Sequence, residues 1–189
     1  MKYDIVLCGV GGQGVLSVAA IIARAAVAEG LVVCQSEVHG MAQRGGAVLS
    51  HLRIADTAVH SCLIPGGTAD MILSLEPLES LRYTDMLAKG GILISTEEAF
   101  VNIPAYPDME KVYAAIDAFP GSKRIPAQKL AQEAGSSRAV NMVLVGAAAK
   151  HLPLRTKSLE DAIRERFTSR GEKIAAMNLD AFNRGRSQS

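Results

Sequence analysis

A short apolar strand that leads through a glycine-rich loop into a helix constrains the fold of this chain most. Residues 5–10 are apolar and rich in β-branched side chains, and the loop Gly9-Val10-Gly11-Gly12-Gln13-Gly14 overlaps their end. The alanine-rich stretch 15–29 predicts a helix that stops at Gly30, and residues 31–35 predict a second strand. Strand, loop, helix and strand make a βαβ unit with a parallel pair of strands.

The sequence changes character after this unit. Residues 39–46 are polar and rich in glycine, residues 47–54 alternate as a strand does, and residues 58–63 are expected to return antiparallel to them. Further strands are predicted at 71–75 and 91–95, and helices at 77–87, 126–134, 139–151, 158–167 and 172–182. The proline-containing region 96–126 gives no clear pattern. We expect one domain, 1–189, folded as a three-layer α/β/α sandwich with a mixed, mainly parallel sheet.

Charge and hydropathy exclude several classes of function. The net charge is +1 and the pI is about 7.7, whereas a nucleic-acid-binding domain usually has a basic face and a pI above about 9. The N-terminal residues begin a strand at once, without the layout of a signal peptide, and no apolar run is long enough to span a membrane. The sequence therefore predicts a cytoplasmic protein that binds neither nucleic acid nor membrane.

The three cysteines do not form a metal or cluster motif. Cys8, Cys34 and Cys62 are at least 26 positions apart, so no Cys-x-x-Cys is present. Two of them fall in predicted strands, where cysteine behaves as a small buried hydrophobe in a reducing compartment. His51 and His60 fall on neighbouring predicted strands without a third ligand in sight, so no metal site is predicted.

The glycine loop matches the dinucleotide fingerprint, with Gly9, Gly11 and Gly14 between a strand and a helix. Glu37, at the end of the second strand, takes the place of the acid that binds a ribose. Two features count against a nicotinamide enzyme: no crossover helix follows the second strand, and no length remains for a substrate domain. A stand-alone dinucleotide-binding oxidoreductase and a nucleotide-binding regulatory module remain the alternatives to the interpretation that follows.

Two glycine-rich blocks resemble a known family. The first is Gly9-Val10-Gly11-Gly12-Gln13-Gly14-Val15-Leu16, and the second runs from Glu37 through His39-Gly40-Met41-Ala42-Gln43-Arg44-Gly45-Gly46 to Val48. In order and spacing they resemble the γ-type domain of 2-oxoacid:ferredoxin oxidoreductases, and the Glu-Val-His-Gly-Met form is similar to the indolepyruvate branch. The likeness continues through 75–83, 139–146 and 178–182, and so covers nearly the whole chain.

This resemblance implies a role that depends on a partner. The family oxidises 2-oxoacids, here an arylpyruvate, with coenzyme A, and forms an acyl-CoA, carbon dioxide and reduced ferredoxin. The chain has neither cluster cysteines nor the thiamine motif, so no cofactor is expected in it. Thiamine diphosphate and [4Fe-4S] clusters are expected in a large partner subunit, with coenzyme A as co-substrate and ferredoxin as acceptor. The small subunit should be inactive alone.

The candidate site residues lie in the two blocks. Arg44 is suited to hold an anion against bare backbone, because its planar guanidinium binds carboxylate or phosphate bidentately; the alternative is an ion pair between subunits. Gln43 beside it and His39, which titrates near neutrality, complete the catalytic candidates. The predicted cofactor-binding residues are Gly9, Gly11, Gly12, Gln13, Gly14, Glu37, Gly45 and Gly46.

Three more polar residues receive structural roles. Glu76 and Glu79 lie at the start of a predicted helix, where carboxylates cap free N–H groups and suit the helix dipole. Asn141 lies in an apolar helix, and a buried amide needs a hydrogen-bond partner. We expect it to bond backbone or to lie in an interface.

Overall fold

The computed structural model describes residues 1–39, 45–101 and 103–188. Within them the strands are β1 (Lys2–Val10), β2 (Val32–His39), β3 (Ala47–Ala55), β4 (Ala69–Ser74), β5 (Leu87–Thr96) and β6 (Lys123–Ile125). The α-helices are α1 (Val15–Ala28), α2 (Pro77–Arg82), α3 (Met109–Asp117), α4 (Ala127–Glu133), α5 (Val140–Ala148), α6 (Thr156–Thr168) and α7 (Glu172–Arg186). None of the helices in these ranges is long and apolar enough to cross a membrane.

The six strands form one sheet in the order β2-β3-β1-β4-β5-β6. β3 is antiparallel to both of its neighbours, β1 and β2, while the pairs β1–β4, β4–β5 and β5–β6 are parallel. The predicted α/β class with a mixed, mainly parallel sheet is confirmed. The predicted pairing of the first two strands is wrong, because β3 lies between β1 and β2 and bonds to both.

One face of the sheet is covered by α1, α4, α5, α6 and α7. Alternate strand residues such as Ile5, Leu7 and Leu73 point into this core, as the two-residue period of a strand requires. Helix α5 is buried along its length between the sheet and α7. The backbones of α5 and α7 come so close that a Cβ added at Gly146 or Gly185 would meet the other helix's carbonyl groups. We call this side the helical face.

The other face has a thinner cover. Val6, Cys8, Ile72 and Leu93 pack here against α2, α3 and residues of a long connection between β3 and β4. This connection, residues 56–68, contains no strand, so the return strand predicted at 58–63 is wrong. We call it the strap loop, and this side of the sheet the strap face.

Polar contacts fasten the strap loop to β3. Arg53 donates from Nη1 to the carbonyl oxygens of Ser61 (2.9 Å) and Leu63 (3.1 Å), and the N–H of Ile64 donates to Nδ1 of His51 (3.0 Å). Arg53 also makes a two-pronged ion pair with the fully buried Asp4. β3 already pairs with β1 on one side and β2 on the other, so residues 58–63 have no free edge of β3 to join, and these side-chain bonds hold the loop in place.

The cysteines differ from their expected state. Cys34 on β2 and Cys62 in the strap loop form a disulfide, with their Cα atoms 5.0 Å apart. Cys8 is a free, fully buried thiol, and burial raises its pKa to about 12. The expectation of small buried hydrophobes therefore fits Cys8 and is wrong for the other two.

Candidate functional site

The two glycine blocks meet at the carboxyl edge of the sheet. They lie beside the point where the crossover helices change from one face of the sheet to the other. From β1 the chain crosses through α1, on the helical face, to β2; from β4 it crosses through α2, on the strap face, to β5. The crevice between the carboxyl ends of β1 and β4 is the place where open α/β sheets bind ligands.

The first glycine block makes a tight turn into α1. Gly12 and Gly14 have φ angles of 101° and 88°, a backbone region that residues with a Cβ rarely adopt. The side chain of Gln13 folds back, and its Oε1 accepts a hydrogen bond from the N–H of Val10 (2.7 Å). Gly14 caps α1 without a side chain. The first N–H groups of a helix have no intrahelical partner, so this end of α1 is open to an acceptor.

The second glycine block is hydrogen-bonded to the first. The N–H of Gly11 donates to the carbonyl of Gly46 (2.8 Å), and the N–H of Gly45 donates to the carbonyl of Gly11 (3.2 Å). Two segments that are more than thirty residues apart in sequence therefore form one continuous surface of main chain. Because the glycines have no side chains, a ligand can approach this backbone closely.

A cavity of about 400 Å³ opens beside the first block, on the helical face. The volume lies in the range of small-molecule sites. Its polar lining residues are Gln13, Gln128, Ser137, Arg138 and Asn141, together with the backbone of Gly12 and Gly14. Asn141 donates from Nδ2 to the carbonyl of Gly14 (3.4 Å), which confirms the expected backbone bond.

A buried carboxylate organises the strap-face side of this edge. Glu76 is 1% exposed; it caps α2 by accepting from the N–H of Glu79 (2.8 Å). It also accepts hydrogen bonds from the N–H of Phe100 and the hydroxyl of Tyr106, and burial together with this carboxylate raises the pKa of Tyr106. The predicted capping role of Glu76 is confirmed. Its hydrogen bonds with Phe100 and Tyr106, in the loop after β5, were not predicted from the sequence.

The position of Glu37 argues against the dinucleotide interpretation. In a Rossmann half the acid-bearing strand lies next to the strand of the glycine loop. Here β3 intervenes, so β1 and β2 are two strand spacings, about 10 Å, apart. Glu37 is exposed and lies on β2 opposite Ser50 of β3. An acid at this place is too far from the loop to have the ribose-binding geometry of the fingerprint.

Several predicted site residues lie outside the described part of the chain. These are Gln43, Arg44 and the side chain of His39. The described residues bring together Gly9, Gly11, Gly12, Gln13, Gly14, Gly45 and Gly46, and they add Arg138, Gln128 and Leu75. Arg138 had no sequence signal of its own, although it directly precedes the block that starts at Ala139. Backbone N–H groups, side-chain amides, the hydroxyl of Ser137 and the positive charge of Arg138 can together hold an anionic ligand.

A family model described as pyruvate ferredoxin/flavodoxin oxidoreductase matches residues 4–188. The chain belongs to this family. The indolepyruvate oxidoreductase subunit IorB of Archaeoglobus fulgidus is 39% identical over 100% of this chain and 96% of its own length. The resemblance to the indolepyruvate branch is thus confirmed by a relative of nearly the same extent.

Solved structures of the family share the fold. The γ subunit of a keto/oxoacid ferredoxin oxidoreductase from Geobacter sulfurreducens aligns over 100% of this chain and 96% of its own, with a TM-score of 0.74 and 25% identity. A 2-oxoglutarate:ferredoxin oxidoreductase from Magnetococcus marinus, with 2-oxoglutarate, coenzyme A and succinyl-CoA bound, aligns with a TM-score of 0.77 and 23% identity. It covers 99% of this chain but 31% of that longer chain. The fold therefore occurs both as a chain of this extent and as part of a longer polypeptide.

Proposed function

We propose that this chain is the small subunit of an indolepyruvate-type 2-oxoacid:ferredoxin oxidoreductase. In this proposal the complex converts an arylpyruvate and coenzyme A to an aryl-acetyl-CoA and carbon dioxide, and it passes the electrons to ferredoxin. The junction of the two glycine blocks, in a chain that belongs to this family, is the observation that carries the proposal.

The choice of substrate class follows the degree of likeness. Four relatives named as indolepyruvate oxidoreductase subunits are 36–39% identical to this chain. Relatives named for ketoisovalerate or 2-oxoglutarate are 28–31% identical. The difference favours an aromatic 2-oxoacid as the substrate of the complex.

We assign the glycine junction to coenzyme A. The residues present fit a long anionic ligand: the cavity is open, the backbone of Gly12 and Gly14 is bare, and Arg138 supplies positive charge for a phosphate. Coenzyme A supplies the thiol that accepts the acyl group. The chain's own part is to bind and orient this co-substrate, with Asn141 and Gln13 holding the loop in shape.

The redox cofactors belong, in this proposal, to a large partner subunit. A [4Fe-4S] cluster takes four cysteine ligands, whereas the chain has three cysteines, and one of them, Cys8, is buried in the core. The described residues hold no group of three or more His, Cys, Asp or Glu side chains placed to bind a metal. Thiamine diphosphate and the [4Fe-4S] clusters are therefore assigned to the partner.

The test is reconstitution with the large subunit encoded in the same genome. The complex should reduce ferredoxin or a viologen when indolepyruvate and coenzyme A are both present, and each subunit alone should not. Arg138→Ala should raise the KM for coenzyme A about tenfold, since a lost charge-assisted bond costs roughly 1.4 kcal/mol, with little change in kcat. The matched control is Arg164→Ala, which removes an exposed arginine on α6.

Arg44 provides a second arm of the same test. Arg44→Lys keeps the charge and loses the bidentate fork, so the complex should assemble and lose about 10- to 1000-fold in turnover. Loss of assembly instead would make Arg44 an interface residue. A complex that turns over pyruvate or 2-oxoglutarate faster than indolepyruvate would contradict the substrate assignment.

A stand-alone dinucleotide enzyme is the competing function. The strand order argues against it, because β3 separates Glu37 from the glycine loop. Calorimetry of the purified chain with NAD and NADP should show no binding tighter than about 10 μM, which corresponds to roughly −7 kcal/mol.

A further inference from the structure

The disulfide between Cys34 and Cys62 is a feature that the proposed function does not use. It links the middle of the edge strand β2 to the strap loop, across 28 positions of sequence. The Cα atoms of the two cysteines are 5.0 Å apart, within the range that a disulfide allows. The backbone therefore holds the two side chains in place for bonding.

A guanidinium lies beside both cysteines. Arg53 is the direct neighbour of Cys34 in the β2–β3 register, and it donates to the carbonyls of Ser61 and Leu63, the residues on either side of Cys62. Positive charge near a thiol favours the thiolate, which is the form that exchanges with disulfides. Asp4 balances part of this charge through its ion pair with Arg53.

The two bonded cysteines are also accessible, in contrast to the third. Cys34 and Cys62 are both half-buried at the thinly covered strap face. Cys8 is fully buried, with its pKa raised to about 12, so it carries almost no thiolate at neutral pH. The chain thus contains a partly exposed bonded pair and, in the same molecule, a fully buried thiol for comparison.

The pair is placed to influence the glycine junction. β2 runs from Cys34 toward the second glycine block, and β3 returns from that block to Arg53. Gly45 and Gly46, between these strands, hold Gly11 by two hydrogen bonds. A covalent link from β2 to the strap loop restrains the outer strand of this hairpin.

We propose that Cys34 and Cys62 form a reversible thiol–disulfide exchange site for a dithiol protein of the thioredoxin class. Its oxidation state decides whether the strap loop is fastened to β2. In the reduction step a thiolate of the dithiol attacks one sulfur of the pair, the S–S bond breaks and a mixed disulfide forms. The second thiol of the dithiol resolves it; this chain gains two electrons and two protons, and the dithiol becomes a disulfide. Oxidised dithiol protein drives the reverse step.

Thiol counting tests the chemistry on the purified full chain. After incubation with oxidised thioredoxin, alkylation in denaturant should label one cysteine, Cys8; after reduced thioredoxin it should label all three. Alkylation of the native reduced protein should modify Cys34 and Cys62 and spare Cys8. Three labelled thiols under oxidising conditions, or a disulfide that reduced thioredoxin leaves intact in the native protein, would overturn the proposal.

Hydrogen exchange tests the conformational part. Reduction should speed amide exchange about tenfold or more in residues 34–38 and 58–64, and leave α1 unchanged, because the freed loop opens locally while the core stays folded. Cys62→Ser should exchange at the fast rate in both redox states, and Cys8→Ala should behave as wild type. Equal exchange in the oxidised and reduced wild-type protein would show that the bond fastens nothing.

Discussion

The helical face and the strap face of the sheet both keep water from apolar side chains, but they do so by different means. On the helical face, five helices bury a continuous core, and α5 and α7 meet backbone to backbone at Gly146 and Gly185. On the strap face, two short helices and an irregular loop leave less apolar contact. There the cover is held by individual contacts: the hydrogen bonds of Arg53, a hydrogen bond to a histidine, and a disulfide.

This difference separates two kinds of stability. Apolar burial is spread over many residues, and close packing makes any added volume costly. A disulfide, or a hydrogen bond to a histidine, acts at one point of the structure. Reduction can break the first and protonation the second while the hydrophobic core stays folded. The glycine blocks lie at the carboxyl edge of the sheet, between the two faces. Asn141 contacts them from the helical face, and Glu76 organises the strap-face side of the same edge.

The largest effect is expected for Gly185→Ala on the helical face. A methyl group there meets the main chain of Val143, which cannot move without separating α5 from α7. We expect the free energy of unfolding to fall by about 3 kcal/mol or more, measured by urea titration. Asn183→Ala, an exposed position on the same helix, should change it by no more than about 0.5 kcal/mol. If Gly185→Ala folded with wild-type stability, the close contact between α5 and α7 would not be what stabilises the helical face.

Loss of the disulfide should have the next largest effect. A cross-link over 28 positions restricts the unfolded chain, and its removal by Cys34→Ser should cost about 3 kcal/mol. Urea titrations with and without dithiothreitol measure this effect. Wild type should shift on reduction, while Cys34→Ser should unfold at one urea concentration in both conditions. If the fully reduced wild-type protein unfolded at the same urea concentration as the oxidised protein, the stability of the strap face would not depend on the disulfide.

The ion pair beneath the strap loop should follow. Asp4→Asn removes the charge that faces Arg53 and leaves the guanidinium, 12% exposed, with less compensation. We expect a loss of about 2 kcal/mol, below the usual cost for a fully buried pair. Lys2→Ala is the control, because its exposed ammonium also contacts Asp4 and should contribute almost nothing. Similar losses for the two variants would contradict a special role of Arg53.

The smallest effect is expected for the contribution of His51 to the pH dependence of the free energy of unfolding. Burial, and secondarily the charge of Arg53, lower the pKa of His51 below its ordinary 6.5, and its Nδ1 accepts the N–H of Ile64. The unfolded chain therefore binds a proton more readily, and the free energy of unfolding should fall as pH drops below 6.5 toward the folded-state pKa. Above pH 6.5 the contribution is constant.

Replacement of His51 isolates this slope. His51→Asn keeps an acceptor near the Ile64 N–H and should flatten the dependence of stability on pH below 6.5. Burial also lowers the pKa of His151, and that contribution stays in both proteins. His60→Gln, at an exposed histidine, should keep the wild-type slope. An unchanged slope in His51→Asn would exclude His51 as a pH-sensitive tie.

Local patterns predicted much of this molecule. The strand at 5–10, the glycine turn and α1 follow from residues close in sequence, and so does the cap at Glu76. Helices at 158–167 and 172–182 were also predicted within a few residues of α6 and α7. In these cases periodicity and capping chemistry determine the outcome without distant partners.

The features that were missed depend on partners far away in the chain. The insertion of β3 between β1 and β2 reflects competition between strands for neighbours, which no single segment encodes. The segment 58–63 was expected to pair with β3, but β1 and β2 occupy both edges of that strand, and Arg53 binds the carbonyls of Ser61 and Leu63 instead. Sequence spacing did not indicate the bond between Cys34 and Cys62, and Arg138 lines the cavity from the short turn between α4 and α5.

The contact of α5 with α7 also has a consequence for biosynthesis. The ribosome makes α5, which lies at the centre of the helical layer, well before α7, the helix that covers its outer side. Domains fold as units while the chain emerges from its N-terminal end. A nascent chain that has just completed α5 therefore presents the small, apolar surface around Gly146 to the cell, and it stays there until residues 172–186 have left the ribosome.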